Sequence, residues 1–285
     1  MSKKAIKNII IVVIAAVLLF VVFGNRGGRS ESSLKMDDLP VAFQNDDVVF
    51  HALDDHTWVG NGHLVYNETL YLVEGEDRAL LIDAGMRIEH LDEIVAGITD
   101  KPVTLVLTHN HTDHVGAVRF FDEVWVGDRG GDQSFPGFKG TVKYMKDHQV
   151  FDLGGRSIEV FNAPGHTAES VIFIDEANHT AFSGDAFGSS NLLMTLDVST
   201  FINTADGTLR MMEEKGIEKM YPGHFGGDNP ETVERILALR SIAADVLSGK
   251  VEGSRKFGGM AKGVILDRTV TSEGVTFNYS HKKVR

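Results

Sequence analysis

The chain has 285 residues, 40 acidic against 28 basic side chains, twelve histidines and no cysteine, and 42% of it is hydrophobic. That length and apolar content exclude a disordered chain and fit one or two packed domains, while the missing cysteine excludes a disulfide framework, a thiol nucleophile and any thiolate-held metal. A net charge of −12 argues against a nucleic-acid partner, which would need a basic face.

The charge is uneven along the chain. Residues 1–35 hold six basic side chains against Glu31, a net +5, so the remainder carries −17. A basic head on an acidic body reads as a targeting segment before a soluble domain. Ile9 to Phe23 is an unbroken apolar run. As a helix it would be about 22 Å long, against a hydrocarbon core of roughly 30 Å. Ala5 and Ile6 extend it, and Lys7 can snorkel toward the headgroups. Residues 1–25 are therefore expected to form one N-terminal hydrophobic helix, a signal anchor or a signal peptide. The lack of an A-x-A cleavage site favours the anchor. Lys3, Lys4 and Lys7 on the cytoplasmic side would send the body across the membrane, making it membrane-anchored or secreted. Residues 26–40 are Gly/Ser-rich and read as a linker, leaving 41–285 as the folded body.

Within that body, Val48–His51, Thr57–Val59, Thr69–Val73 and Ala79–Asp83 read as strands, with Glu76-Asp77 as a hairpin turn. Apolar residues at Ile88, Leu91, Ile94, Val95 and Ile98 predict a helix over 88–98. Val103–Leu107 and Glu123–Val126 return to strand. Residues 130–150 look irregular and long enough to act as a lid. Strands follow at Ser157–Phe161, Val171–Ile174 and Thr180–Ser183, a helix at Phe201–Lys215 and a strand at Ile217–Tyr221. A long helix is predicted over Asn229–Ser248, with Pro230 in its first turn, and a last hairpin from Val264–Leu266 and Val275–Tyr279. Two groups of strands with helices between them make an α/β protein whose sheets are covered by helices.

The chemistry concentrates after the strand at 103–107. Residues 108–117 read Thr-His-Asn-His-Thr-Asp-His-Val-Gly-Ala. On a helix, His109 and His111 would diverge by about 200°, whereas on extended backbone alternate residues share a side. Imidazoles with carboxylates suit a borderline divalent cation such as zinc. His109, His111, Asp113 and His114 are too many for one tetrahedral ion with an open position, so two ions are expected. Further candidates each follow a strand: His166 in Ala163-Pro164-Gly165-His166-Thr167, Asp185 in Ser183-Gly184-Asp185-Ala186, His224 in Tyr221-Pro222-Gly223-His224, and Asp83 in Leu81-Ile82-Asp83-Ala84-Gly85. The neighbouring glycines permit close backbone approach. The seven other histidines, at 51, 56, 63, 90, 148, 179 and 281, have no such setting and are read as non-ligands.

An H-x-H-x-D-H motif followed in order by a His, an Asp and a final His resembles the metallo-β-lactamase superfamily over about residues 45–226. The resemblance implies a four-layer αβ/βα sandwich with the metals at one sheet edge. It implies that His109, His111 and His166 hold the first ion, that Asp113, His114 and His224 hold the second, and that Asp185 bridges them. Asp83 would orient a ligand imidazole from outside the metals. Gly184-Asp185 looks more like glyoxalase II and the acyl-homoserine lactonases than like the β-lactamase subclasses. Where those families commonly continue P-G-H-T with P-G or G-H, this chain reads Ala168-Glu169-Ser170.

Two divalent ions would make hydroxide available at neutral pH, with Asp113 orienting it. The expectation is a dinuclear zinc hydrolase of small esters or lactones, with Fe, Mn or Co accepted by the same ligands. Phe135, Phe138 and Phe187 either line an apolar pocket or belong to the core. Two alternatives stand beside this reading: an exported β-lactam hydrolase, and a metal-binding domain without turnover. The expected partner is a small molecule rather than nucleic acid.

Overall fold

The computed structural model describes residues 34–255, 260–261 and 263–285. The expected N-terminal apolar helix lies outside these residues. Among the described residues no helix is long and apolar enough to cross a membrane.

The first sheet has eight strands in chain order: β1 (Val41–Gln44), β2 (Val48–Asp54), β3 (Thr57–Gly62), β4 (Thr69–Glu74), β5 (Ala79–Ile82), β6 (Val103–Val106), β7 (Glu123–Gly127) and β8 (Thr141–Met145). Strands β1 to β5 are joined as antiparallel neighbours, and β5 to β8 run parallel. The second sheet holds β9 (Val150–Asp152), β10 (Ser157–Asn162), β11 (Val171–Asp175) and β12 (Thr180–Gly184). It continues, past β13 (Asn191–Leu193), with β14 (Lys219–Pro222), which pairs parallel to β12. Two short strands, β15 (Ser254–Arg255) and β16 (Met260–Ala261), lead to β17 (Val264–Ile265), β18 (Arg268–Ser272) and β19 (Val275–Tyr279). A third sheet takes the order β13-β19-β18-β15.

Period-two alternation explains how the layers stack. On β4, Leu70 and Leu72 join Phe50, Leu81 and the short helix α1 (Leu91–Ala96) in one buried cluster. Tyr71, between them, turns to the other face and meets the Phe182 ring of the second sheet at 4.8 Å. A one-turn helix, α2 (Thr112–Val115), follows β6. Helices α3 (Val198–Lys215) and α4 (Val233–Leu247) bring Phe201, Met212, Leu239 and Ile242 against Ile172, Ile174 and Met220 on the outer face of the second sheet. Each fully buried side chain of this size contributes roughly 2 kcal/mol of transfer free energy. The result is a mixed α/β sandwich with helices on its outer faces. At the end carrying Glu74, Arg156 ties the sheets together: it donates to Asp175 at 2.5 and 2.9 Å, and to the carbonyls of His56 and Glu74 at 3.0 and 3.1 Å.

Several elements differ from the sequence-based expectation. Helix α1 is six residues long rather than spanning 88–98, because His90 sits in the left-handed region (φ 53°), which breaks the helical path before Leu91, and Gly97 caps the other end. Helix α4 starts at Val233, not at Asn229. Glu231 bridges to Met220 through two backbone hydrogen bonds of 2.9 Å, and Thr232 caps the helix by accepting from the Arg235 amide. Pro230 is therefore outside the helix. The 130–150 segment is not one irregular lid, since β8 adds a parallel edge strand to the first sheet. The final hairpin is β18–β19, closed by Glu273 and Gly274, both with positive φ (50° and 77°), as a two-residue hairpin turn requires.

Candidate metal centre

Five chain segments leave the strands at one end of the sandwich and converge there: Asp83 after β5, Thr108–His114 after β6, His166 after β10, Asp185 after β12 and His224 after β14. The motif changes conformation midway. His111 is extended (φ −72°, ψ 155°) and caps α2, whose single turn carries Asp113 and His114. Extended backbone keeps His109 and His111 on one side, and the helical turn aims the next two donors elsewhere.

Two donor groups result. His109, His111, His166 and Asp185 form one; Asp113, His114 and His224 form the other. In the first, His109 Nε2 lies 3.1 Å from His111 Nδ1 and 3.2 Å from His166 Nε2, and the last two are 2.8 Å apart. Three nitrogens at about 2.0–2.1 Å from one tetrahedral ion would sit roughly 3.3 Å apart, so the triangle has the size such an ion needs. In the second group, Asp113 Oδ2 is 4.0 Å from His114 Nε2 and 3.5 Å from His224 Nε2. Asp185 lies between the groups. Its Oδ2 is 3.6 Å from His166 Nε2 and 3.5 Å from His224 Nε2, while Oδ1 is 3.7 Å from His114 Nε2. Both His114 Nε2 and Asp185 Oδ1 are buried without a hydrogen-bond partner among the described residues. Orphaned buried donors and acceptors are rare, and a cation among them would satisfy both. The donor set thus fits divalent ions.

The opposite ring nitrogens are held in place. His114 Nδ1 donates to Asp83 Oδ2 at 2.9 Å. The Thr108 hydroxyl donates to the same oxygen at 2.7 Å and accepts from His109 Nδ1 at 3.1 Å. Asp83 therefore orients one imidazole directly and a second through Thr108, and its other oxygen accepts from the Thr108 amide at 2.7 Å. The Thr108 relay is not visible in the spacing, although Thr108 directly precedes the motif. His166 Nδ1 donates to the Leu193 carbonyl at 2.7 Å, and His224 Nδ1 to the Tyr66 carbonyl at 3.3 Å. Two glycines make room. A Cβ on Gly184 would lie 2.3 Å from Thr108 Oγ1, and one on Gly223 would lie 2.3 Å from Asp185 Oδ1.

Electrostatics separate the groups. Burial, reinforced by the neighbouring imidazoles, holds His109 well below its ordinary pKa, and burial lowers His166 too, leaving their lone pairs open to a cation. Burial also pulls on His114, but Asp83 and Asp185 outweigh it and push its pKa up to about 10. His224 is raised by Asp185 against burial. Burial works against ionised Asp185 as well, yet His224 and His114 hold its carboxyl well below the usual range.

The centre opens onto a cavity of about 740 Å³ whose walls include Val65, Tyr66, Ser189, Asn191 and Leu193. Sequence motifs single out none of these. Phe135 and Phe187 do not line it; both are buried in the two cores, and Phe138 packs against the first. The seven histidines expected to be non-ligands belong to neither donor group. His148, for example, pairs with Glu159 at 2.7 Å.

The family model of the metallo-beta-lactamase superfamily matches residues 64–224. An acyl-coenzyme A thioesterase of Gallus gallus is 25% identical over 209 residues, covering 59% of this chain and 76% of its own. A hydroxyacylglutathione hydrolase of Francisella philomiragia is 27% identical over 158 residues, covering 54% of this chain and 61% of its own. Among solved structures, a metallo-beta-lactamase from Pontibacter korlensis superposes with a TM-score of 0.56 at 18% identity, over 70% of this chain and 99% of its own. With a motif-bearing match across more than half its length, the chain belongs to the metallo-beta-lactamase superfamily, and the relatives named above are hydrolases.

Proposed function

We propose that the chain is a dinuclear-metal hydrolase of small acyl esters, with thioesters as its first substrate class and lactones, attacked at the same acyl carbon but with a ring oxygen as leaving group, as its second. One observation carries this reading: Asp185, a member of the first donor group, also lies 3.5 Å from His224 and 3.7 Å from His114 of the second, and both groups open onto one cavity. His109, His111 and His166 would hold one ion, Asp113, His114 and His224 the other, with Asp185 touching both. The imidazole-rich set suits zinc first, with Fe, Mn or Co as substitutes. When bound, such ions activate a water at neutral pH and polarise the substrate carbonyl.

The protein's own part is positioning. Asp113 Oδ2, 3.5 Å from His224 Nε2, is placed to accept a proton from a water held in the cavity and so to orient its lone pair. Asp83 and Thr108 keep the His114 and His109 rings fixed, and the Leu193 carbonyl does the same for His166, so the donors need no rearrangement during turnover. Thioesters stand ahead of lactones because both relatives named above act, by their names, on acyl thioesters.

The test uses the full chain, assayed with and without a chelator against an acyl thioester, a lactone, a β-lactam and a phosphodiester. Chelator-sensitive thioester hydrolysis with about two ions per chain is expected. Bound ions with no hydrolysis of any substrate would overturn the enzyme reading, and β-lactam turnover alone would overturn the acyl-ester one. We also propose that the body is exported, on the strength of the 9–23 apolar run alone. Recovery of the intact chain in the cytosolic fraction would refute this.

A further inference from the structure

The cavity wall beside His166 contains a side-chain amide whose orientation can be read from its neighbours. Asn191 opens β13 and faces the cavity, as does Leu193, while Leu192 between them is buried in the core. This is the period-two pattern of a strand. The strand is held by parallel pairing to β19, with Leu193 opposite Asn278.

Asn278 is buried, and its Nδ2 donates to the backbone carbonyl of Leu192 at 3.1 Å. A carbonyl can only accept, so this contact decides which end of the Asn278 amide carries the hydrogens. The same nitrogen donates to Asn191 Oδ1 at 2.9 Å, and the Thr269 hydroxyl donates to Asn278 Oδ1 at 2.8 Å. Asn191 must therefore present its oxygen to Asn278. Its NH₂ has no acceptor among the described residues, and the residue itself lines the cavity. A donor fixed by a buried neighbour and left unused in a cavity wall is arranged for a ligand oxygen.

The strand also supplies a distance. The Leu193 carbonyl holds His166, a donor of the first group, and Asn191 is two residues away, roughly 6–7 Å along the strand. The Asn191 amide is thus offset along the strand from the residue that holds His166. The offset matches an acceptor further along the leaving group. Thiols of the coenzyme A and glutathione type carry a secondary amide a few bonds from sulfur, its oxygen about 5 Å away at bond lengths near 1.5 Å.

We propose that Asn191 is a specificity residue whose Nδ2 donates to the amide carbonyl of the substrate's thiol arm, and that Asn278 is the positioning residue that fixes it. This rests on the thioester reading above. The chemistry is shared by any thiol with such an amide, whether free or attached to a carrier.

The experiment compares S-hexanoyl-N-acetylcysteamine, whose arm has the amide, with S-pentyl hexanethioate, whose arm lacks it, on the full-length metal-loaded protein. The parent should favour the first by about tenfold in kcat/KM, the scale of one hydrogen bond. Asn191→Asp keeps the acceptor for Asn278 and removes the donor. It should bring the ratio close to one by raising KM for the amide substrate, with kcat within about threefold and ion content unchanged. Asn278→Leu should give an intermediate ratio. A ratio that is the same in the parent and in Asn191→Asp would overturn the proposal. If the parent hydrolyses neither thioester, the thioester reading fails on its own, and binding of the inert thioether S-hexyl-N-acetylcysteamine by calorimetry then decides Asn191. Weaker binding to Asn191→Asp supports the role; equal binding, or none to the parent, refutes it.

Discussion

The two donor groups are built from the same residue types and differ in how tightly the fold holds them. In the first, three nitrogens lie within 3.2 Å of one another, and the His109 and His166 side chains are 1% and 2% exposed. In the second, the separations are 3.5 and 4.0 Å, and His224 and Asp113 are 18% and 17% exposed. The first group takes His109 and His111 from extended backbone just past β6 and His166 from a bend, its ring held by the Leu193 carbonyl at 2.7 Å. The second draws on a one-turn helix and on a loop whose His224 ring makes a long, 3.3 Å hydrogen bond to the Tyr66 carbonyl and faces Asp185 at 3.5 Å. Preorganised donors lose less entropy when they close on a cation. The contrast teaches that two ions in one cavity need not be equivalent: the first group should bind its ion tightly and the second more weakly.

The largest effect should come from the residue that belongs to both sides. Asp185→Asn is expected to lower kcat by roughly a thousandfold or more, the scale of several kcal/mol of lost charge stabilisation, and to lower total ion content. Retention of two ions with near-parent kcat would break the picture of a shared carboxylate.

The next pair separates the groups directly. His166→Ala should abolish tight ion binding, whereas His224→Ala should leave one tightly held ion and lose the other. Chelator titration followed by metal analysis checks both, and equal losses in the two variants would erase the comparison.

A smaller effect is expected behind the ligands. Thr108→Val removes the hydroxyl between Asp83 and His109 while keeping the volume, and should weaken metal affinity by about 10- to 100-fold. The first group should feel this more than the second, because His114 keeps its direct bond to Asp83.

The smallest effect on turnover lies in the wall beside the second group. The His224 amide donates to Ser189 Oγ at 3.2 Å, and the Ser189 amide donates to buried Glu231 at 2.8 Å. Burial pushes Glu231 up from 4.5 to about 7; Arg235 and the Ser189 amide offset this in part, and Asp185 adds to it. Because the folded pKa is raised, the folded state favours the protonated acid. Its stabilisation is fully present below about 4.5 and is lost as pH rises through about 7. Glu231→Gln should therefore match the parent in unfolding free energy near pH 4.5 and exceed it above pH 7, by up to about 3 kcal/mol, with the melting temperature following the same trend. A difference independent of pH would rule out Glu231 as the titrating group.

Much of this centre is legible in the order of the residues. Four potential donors within six residues after an apolar strand announce a metal site, because ligand chemistry and close spacing are both visible locally, although the fold divides the four between two groups. His166, Asp185 and His224 are legible for a related reason: each stands just past a strand, where the chain must turn at the sheet edge. Other features need the third dimension. The helix expected over 229–248 begins later because Glu231 pairs with Met220 across the sheet edge, and no local signal carries that pairing. Phe135 and Phe187 are equally compatible with pocket and core in sequence, since an aromatic side chain suits both until neighbours exclude one.

By itself, then, the amino-acid sequence determined which side chains are the candidate metal donors and which strands carry them, because ligand chemistry and strand periodicity are local properties. Only the tertiary structure decided how those donors divide into a closer and a wider group, that Thr108 relays Asp83 to His109, and that Asn278 takes the side-chain oxygen of Asn191 in the cavity wall. Each of these depends on contacts between residues as far apart as 25 to 87 positions, and such distances are set by the packing of two sheets rather than by neighbours in the chain.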